Sequence, residues 1–209
     1  MDKYNVYQDM SRRTGGEIYL GIVGPVRTGK STFIKRFMEL VVIPEMSDDN
    51  EKVRTIDELP QSADGKTIMT TEPKFIPKEA AVIHFSNQET GKIRLIDCVG
   101  YLVPEAVGAI EEEKERMVKT PWSEEEIPFS KAAEIGTSKV IREHSNLGLI
   151  ITTDGSFGDI AAVNFEEALQ KTVMECEKAG KPFLILVNTS RPDSQETIQF
   201  TKRLEAQYG

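Results

Sequence analysis

Eight consecutive residues carry the clearest chemistry in the chain: Gly24-Pro25-Val26-Arg27-Thr28-Gly29-Lys30-Ser31, with Thr32 directly after them. They match the pattern G-x-x-x-x-G-K-[ST], and each residue type has a mechanical reason to be there. Gly24 and Gly29 let the backbone curl, so that successive N–H groups point inward at phosphate oxygens. Lys30 reaches the β- and γ-phosphates of a nucleoside triphosphate, and Ser31 offers a hydroxyl to Mg²⁺. A helix starting here aims the positive end of its dipole at the same phosphates. Gly24 through Thr32 are therefore the expected nucleotide-binding residues.

Downstream, Asp97-Cys98-Val99-Gly100 closes the apolar run Arg94 to Ile96. A carboxylate at the C-terminal end of a strand can hold Mg²⁺ through water beside a phosphate loop. Gly100 can turn its own backbone N–H toward the γ-phosphate and so report hydrolysis. Between the two motifs lies Gly65-Lys66-Thr67-Ile68-Met69-Thr70-Thr71-Glu72-Pro73. A threonine there that ligates Mg²⁺ and bonds the γ-phosphate only while that phosphate is present makes a switch. Thr70 and Thr71 are equal candidates. The expected catalytic set is Lys30, Thr70, Thr71, Asp97 and Gly100, and the expected metal set is Ser31, Thr70, Thr71 and Asp97.

These groups must be positioned by strands and helices, and the hydrophobic pattern supplies both. Glu17 to Val23 reads as a buried strand that runs into the phosphate loop, and Ser31 to Val42 as the helix that leaves it. Lys92 to Ile96, Leu147 to Thr152 and Pro182 to Val187 are three more buried-strand candidates. Ala80 to Phe85 reads as a strand in a hairpin with the Lys92 strand. Phe165, Ala168, Leu169, Thr172, Val173 and Cys176 recur at helical spacing on one face, with Asn164 as the expected N-cap and Gly180 and Pro182 as the stop. Ser130 to Ser145 and Gln195 to Tyr208 are further helices. Strands alternating with helices imply a three-layer α/β fold with a mostly parallel central sheet.

Length and charge narrow the class. The chain has 209 residues, with 26 Lys+Arg against 34 Asp+Glu and a formal net charge of −8. That balance argues against a phosphate-backbone binder, which needs a basic stripe, so no nucleic-acid partner is expected. One domain is expected over 1–209, with insertions near 44–65 and 104–128. The segment Pro104 to Pro128 holds eight acidic and three basic residues, read as a solvated insertion or an acidic partner surface. An alternating fold would start another strand after the helix that ends near Gly209, so further C-terminal domains are expected beyond it. No signal peptide and no membrane-spanning apolar run is readable, and two distant cysteines fit a reducing, cytoplasmic compartment. His144 reads as a packed histidine beside Val140 and Ile141, Cys98 as a core residue, and Trp122 as an anchor of the acidic insertion.

The phosphate loop, the threonine segment and D-x-x-G, in this order, resemble the P-loop GTPase class of translation-factor and signalling proteins. In guanine-specific members the last strand is followed by N-K-x-D, whose Asp reads the guanine N1–H and amino group. Here the stretch is Asn188-Thr189-Ser190-Arg191, so the Asn stays as a nucleotide contact while the Lys and the Asp are gone. The preference for GTP goes with them. Tyr101 stands where many members place a Gln after D-x-x-G. Arg27 has two readings, an arginine supplying charge between phosphates in cis or a solvent-facing loop residue.

A closer resemblance covers essentially the whole chain. The runs EIYLGIVGPVRTGKSTFIKRFMELVV, DELPQSADGKTIMTTEPKF, RLIDCVGY, TPWSEEEIPF, KAAEIGTSKVIREHS and ITTDGSFGDIA are similar to the stage IV sporulation protein A family, morphogenetic ATPases beneath the spore coat. The resemblance implies Mg²⁺ with ATP as substrate, nucleotide roles for Lys30, Thr70, Thr71 and Asp97, and hydrolysis coupled to self-assembly into a shell. It also implies coat-protein partners, a small amphipathic membrane-bound sporulation protein as partner, and a place in the mother-cell cytoplasm at the outer forespore surface. Two other functions stay open on the residues alone: a nucleotide-gated scaffold without turnover, and a GTPase switch.

Overall fold

The computed structural model describes residues 16–60, 72–84, 90–106, 110–111 and 114–209. Its strands are β1 (Glu17–Val23), β2 (Lys74–His84), β3 (Thr90–Asp97), β4 (Ile110–Glu111), β5 (Lys114–Glu115), β6 (Met117–Thr120), β7 (Ser123–Pro128), β8 (Leu147–Thr153) and β9 (Phe183–Asn188). Its α-helices are α1 (Lys30–Phe37), α2 (Asp49–Glu58), α3 (Phe129–Lys139), α4 (Glu166–Lys178) and α5 (Gln195–Tyr208).

The central sheet has the order β2-β3-β1-β8-β9, with β1, β3, β8 and β9 parallel and β2 antiparallel to β3. This is the expected three-layer α/β fold with a mostly parallel sheet. Side chains alternate across each strand, so neighbours in sequence enter different layers. Leu20, Ile22, Leu95 and Ile151 pack with Ile34, Met38 and Val42 on one face. Val23, Ile96 and Ile150 pack with Val140, Ile141, Leu169, Val173 and Leu204 on the other. Strand β8, central and covered on both faces, is buried from Gly148 to Thr153. Register places the ends together: Ile22 pairs with Asp97 and Thr153 with Asn188, so one edge of the sheet gathers the turn that follows β1, Asp97 and Asn188.

The helices show where local pattern suffices. α1 continues through a π-helical segment, Met38–Val42, and α3 through another, Val140–His144, so both expected helices are present with a wider last turn. The whole expected face of α4, from Phe165 to Cys176, is buried. Asn164 is not its N-cap. A 3-10 turn, Ala162–Phe165, feeds the helix directly, the cap position is Phe165 in helical conformation, and no side chain caps it. The stop is as expected: Gly180 adopts φ 62°, and the Lys181 N–H donates to Cys176 O at 3.0 Å.

The polar stretch after Pro44, expected as an insertion near 44–65, contains α2. Asp48 caps it, its carboxylate accepting from Asn50 N–H at 2.7 Å and Glu51 N–H at 3.2 Å. In the acidic stretch, β6 and β7 pair as an antiparallel hairpin, with half-buried Trp122 at its turn and Glu124, Glu125 and Glu126 exposed. Among the described residues, no helix is long and apolar enough to cross a membrane.

Candidate functional site

Strand β1 ends at Val23, and the chain turns through Gly24–Gly29 into α1. Two glycines make that turn possible. Gly24 has φ 127° and a Cβ there would lie 2.4 Å from Ile151 O; Gly29 has φ 90° and a Cβ there would lie 2.4 Å from Asn188 Nδ2. No L-residue fits either position without displacing its neighbours. Phe33 N–H donates to Gly29 O at 2.8 Å, the first bond of α1. The N–H groups of Lys30, Ser31 and Thr32 thus open the helix, where no carbonyl of the same helix serves them. They provide the positive end of a dipole at the mouth of the turn.

The loop is braced from inside. Thr28, fully buried, donates its hydroxyl to Pro25 O at 3.0 Å, and Asn188 Nδ2 donates to Thr28 O at 3.0 Å. Val26 N–H donates to Tyr101 O at 2.9 Å and Tyr101 N–H to Gly24 O at 3.3 Å. This bridge zips the loop to the segment after Asp97. Val26 and Tyr101, both buried, anchor it in a small apolar cluster with Val103, Phe165 and Ala168. Arg27, at φ 61°, is exposed at the tip of the loop.

Lys30 is 5% exposed, and its Nζ donates to Pro25 O at 2.6 Å and to Gly24 O at 3.5 Å. Burial holds its ammonium below the usual lysine range, against the favourable charge of Asp97. Asp97 is the counterpart. Burial pushes its carboxyl up, opposed by the Ser31 hydroxyl and the Lys30 charge. The Ser31 hydroxyl donates to Asp97 Oδ2 at 2.8 Å, while Asp97 Oδ1 is buried and meets no hydrogen-bond donor among the described residues. A buried, unserved carboxylate oxygen beside a serine hydroxyl is a hard-oxygen donor set of the kind that suits a small divalent cation. Ser31 and Thr32 themselves are exposed at the mouth.

Gly100, at φ 93°, lies against this group: a Cβ there would sit 2.2 Å from Gly24 O and 2.6 Å from Lys30 Nζ. Its N–H donates to the fully buried Thr137 hydroxyl at 3.2 Å, and Thr137 donates in turn to Ala133 O at 2.8 Å. Thr137 of α3 had no signal in the sequence, since a mid-helix threonine reads as one more core position. The structure therefore brings together Gly24, Pro25, Val26, Thr28, Gly29, Lys30, Ser31, Asp97, Gly100 and Asn188. Thr70 and Thr71 lie outside the described residues.

Two further residues with reactive side chains are packed into the structure. Cys98 is buried, and burial pushes its thiol up to about 11, in keeping with the core residue expected. The His144 ring packs edge-on against Phe75, centroids 5.4 Å apart.

Comparison with known proteins gives a consistent result. Residues 1–209 match the family model described as Stage IV sporulation protein A, ATPase domain. The chain is 54% identical over 208 residues to Stage IV sporulation protein A of Bacillus subtilis (strain 168), covering 100% of this chain and 42% of that protein. The Bacillus anthracis protein of the same name is 52% identical over 208 residues, with the same coverage. That of Clostridioides difficile (strain 630) is 49% identical over 204 residues, covering 98% of this chain and 42% of its own length. The chain thus spans about two fifths of the curated relatives it matches. A crystal structure of an SsGBP variant overlaps 96% of this chain and 48% of its own, at 13% identity and a TM-score of 0.45, too loosely to carry an argument.

Proposed function

Because the chain belongs to the stage IV sporulation protein A family, through its ATPase domain, we propose that it binds ATP with Mg²⁺ at the Gly24–Thr32 turn and hydrolyses it. One observation carries this reading. Lys30, Ser31 and Asp97, drawn from the two ends of the site, converge at the N-terminus of α1, with one Asp97 oxygen unserved among the described residues.

In the reaction, water adds to the γ-phosphorus, the bond to the bridging oxygen breaks, and ADP, inorganic phosphate and a proton leave. The N–H groups that open α1 and the Lys30 ammonium hold the phosphates and stabilise the charge that builds on them. Ser31 and Asp97 would hold Mg²⁺, with Thr70 or Thr71 completing the set; the ion neutralises phosphate charge when bound. Gly100 senses the γ-phosphate by exchanging the Thr137 hydroxyl, which its N–H serves in this structure, for a phosphate oxygen. Asn188 braces the turn from the base side. With Thr189 and Arg191 where N-K-x-D has its Lys and Asp, the preference for guanine is gone, and ATP is the substrate by family membership.

At the level of the whole protein, we propose that hydrolysis drives self-assembly into the basement layer of the spore coat. The partners are other copies of the chain, coat proteins and a small amphipathic membrane-bound sporulation protein. The setting is the mother-cell cytoplasm at the outer forespore surface. Support for these comes from the family alone.

A second reading, nucleotide-gated assembly without turnover, has its own observation. Tyr101 follows Gly100 but is 4% exposed, with Lys171 Nζ 4.9 Å from its ring centroid, so its side chain orients no water. Phosphate release from ATP and from GTP, at matched Mg²⁺, separates the readings. ATP-selective release that falls at least about 100-fold in Lys30→Ala supports the ATPase. Binding without release in the wild type supports the scaffold, and equal release from GTP supports a GTPase switch.

A further inference from the structure

Beside the phosphate loop, a cluster of hydroxyls around one carboxylate ties together the C-terminal ends of β8 and β9. Asp154 Oδ2 accepts from the Thr189 and Thr197 hydroxyls, both at 2.6 Å, and Oδ1 accepts from Ser156 N–H at 3.0 Å. Ser190 N–H donates to Ser156 Oγ at 2.8 Å, and Ser190 Oγ donates to Ser156 O at 2.9 Å. Arg191 N–H donates to Thr189 Oγ1 at 3.1 Å. Thr197, 4% exposed, belongs to the first turn of α5, whose N-cap Ser194 accepts from Thr197 N–H at 3.1 Å. Three segments are therefore clamped on one side chain: 154–156, 189–191 and the start of α5.

The clamped segment is continuous with the phosphate loop. Asn188 directly precedes Thr189 and donates to Thr28 O at 3.0 Å, and its Nδ2 fills the space a Cβ on Gly29 would need. The pairing of Thr153 with Asn188 puts Asp154 and Thr189 side by side, just past the C-terminal edge of the sheet. In parallel α/β sheets ligands lie in the crevice outside that edge. A nucleotide whose phosphates sit at α1 has its base and sugar side bounded by the loops that leave β8 and β9.

We infer that Asp154 is a positioning residue for the nucleotide. It holds residues 188–191 against the Thr28–Gly29 turn, and so sets nucleotide affinity and base discrimination without entering the phosphate chemistry. Its oxygens already serve three donors, so it does not itself read a base; the shape of the segment it fixes does. This rests on the reading of the Gly24–Thr32 turn as a nucleotide site.

The test uses the full chain with ATP and GTP at matched Mg²⁺. In Asp154→Ala the KM for ATP rises roughly tenfold, as expected for loosening charge-assisted hydrogen bonds that order a binding segment, while kcat stays within about twofold. The ratio of kcat/KM for ATP to that for GTP falls toward one. Asp154→Asn keeps an oxygen for the two threonine hydroxyls and recovers most of the affinity. Thr197→Val removes one donor, gives an intermediate KM, and serves in place of Asp154→Ala should that variant not fold. If the wild type binds without turnover, dissociation constants carry the same expectations. Unchanged affinity and discrimination in a folded variant overturn the positioning role, as does a fall in kcat at constant KM. Wild-type protein that binds neither nucleotide overturns the nucleotide reading and this inference with it, in an arm that contains no variant.

Discussion

Gly100 shows how much can rest on the absence of a side chain. Its backbone sits at φ 93°, and a methyl group there would meet Gly24 O at 2.2 Å and Lys30 Nζ at 2.6 Å. The first contact is with backbone, which cannot swing aside. Gly100→Ala is therefore expected to lower unfolding free energy by about 2 kcal/mol or more, from φ strain and overlap together. Urea denaturation monitored by circular dichroism measures it. The same substitution displaces the Lys30 amine, so phosphate release should fall more steeply than stability. The type of residue at 100 was legible in the sequence, as D-x-x-G. Its contact with Lys30 was not, because it depends on how the loop after β3 folds over the loop after β1.

At the scale of elements, α3 is bound to that loop by one hydroxyl. Thr137 accepts the Gly100 N–H and is fully buried, so replacing it with Val leaves a buried donor unserved. Thr137→Val should destabilise by about 1–3 kcal/mol, and Thr137→Ser should restore most of that, both read from urea midpoints at constant slope. The chain enters α3 directly from the acidic hairpin of β6 and β7, so hydrogen exchange in Met117–Pro128 should also rise in Thr137→Val. Elements that present one broad apolar face, such as α4, were legible from periodicity. Helix α2 was not. It buries only Thr55 and leaves Val53 and Ile56 outward, so its pattern carries little of the period that marks a core-facing helix.

For the whole molecule, acid stability reports on the Asp154 clamp. Burial alone would raise its carboxyl, but the hydrogen bonds from Ser156, Thr189 and Thr197 outweigh burial and hold it at about 2, against an ordinary 3.8. The folded state then binds this proton more weakly than the unfolded state does. The contribution to stability is complete above about pH 4 and is lost as pH falls through 2. The stability gap between wild type and Asp154→Ala should therefore be widest at pH 5–7 and narrow toward pH 2, as urea unfolding at several pH values will show. A gap independent of pH would mean that the carboxylate charge contributes nothing. The sequence by itself determined the tight turn into α1, the order along the chain of the central-sheet strands and of helices α1, α3, α4 and α5, and the class of sheet, because backbone curl, helix starts and hydrophobic period are set by residues close together in the chain. Only the tertiary structure decided that Ser31 meets Asp97, that Asn188 braces Thr28, that Thr137 holds Gly100 and that Asp154 gathers Thr189 and Thr197. Those partners come from different strands and helices, and their hydrogen bonds exist only once parallel pairing has brought the strand ends to one edge.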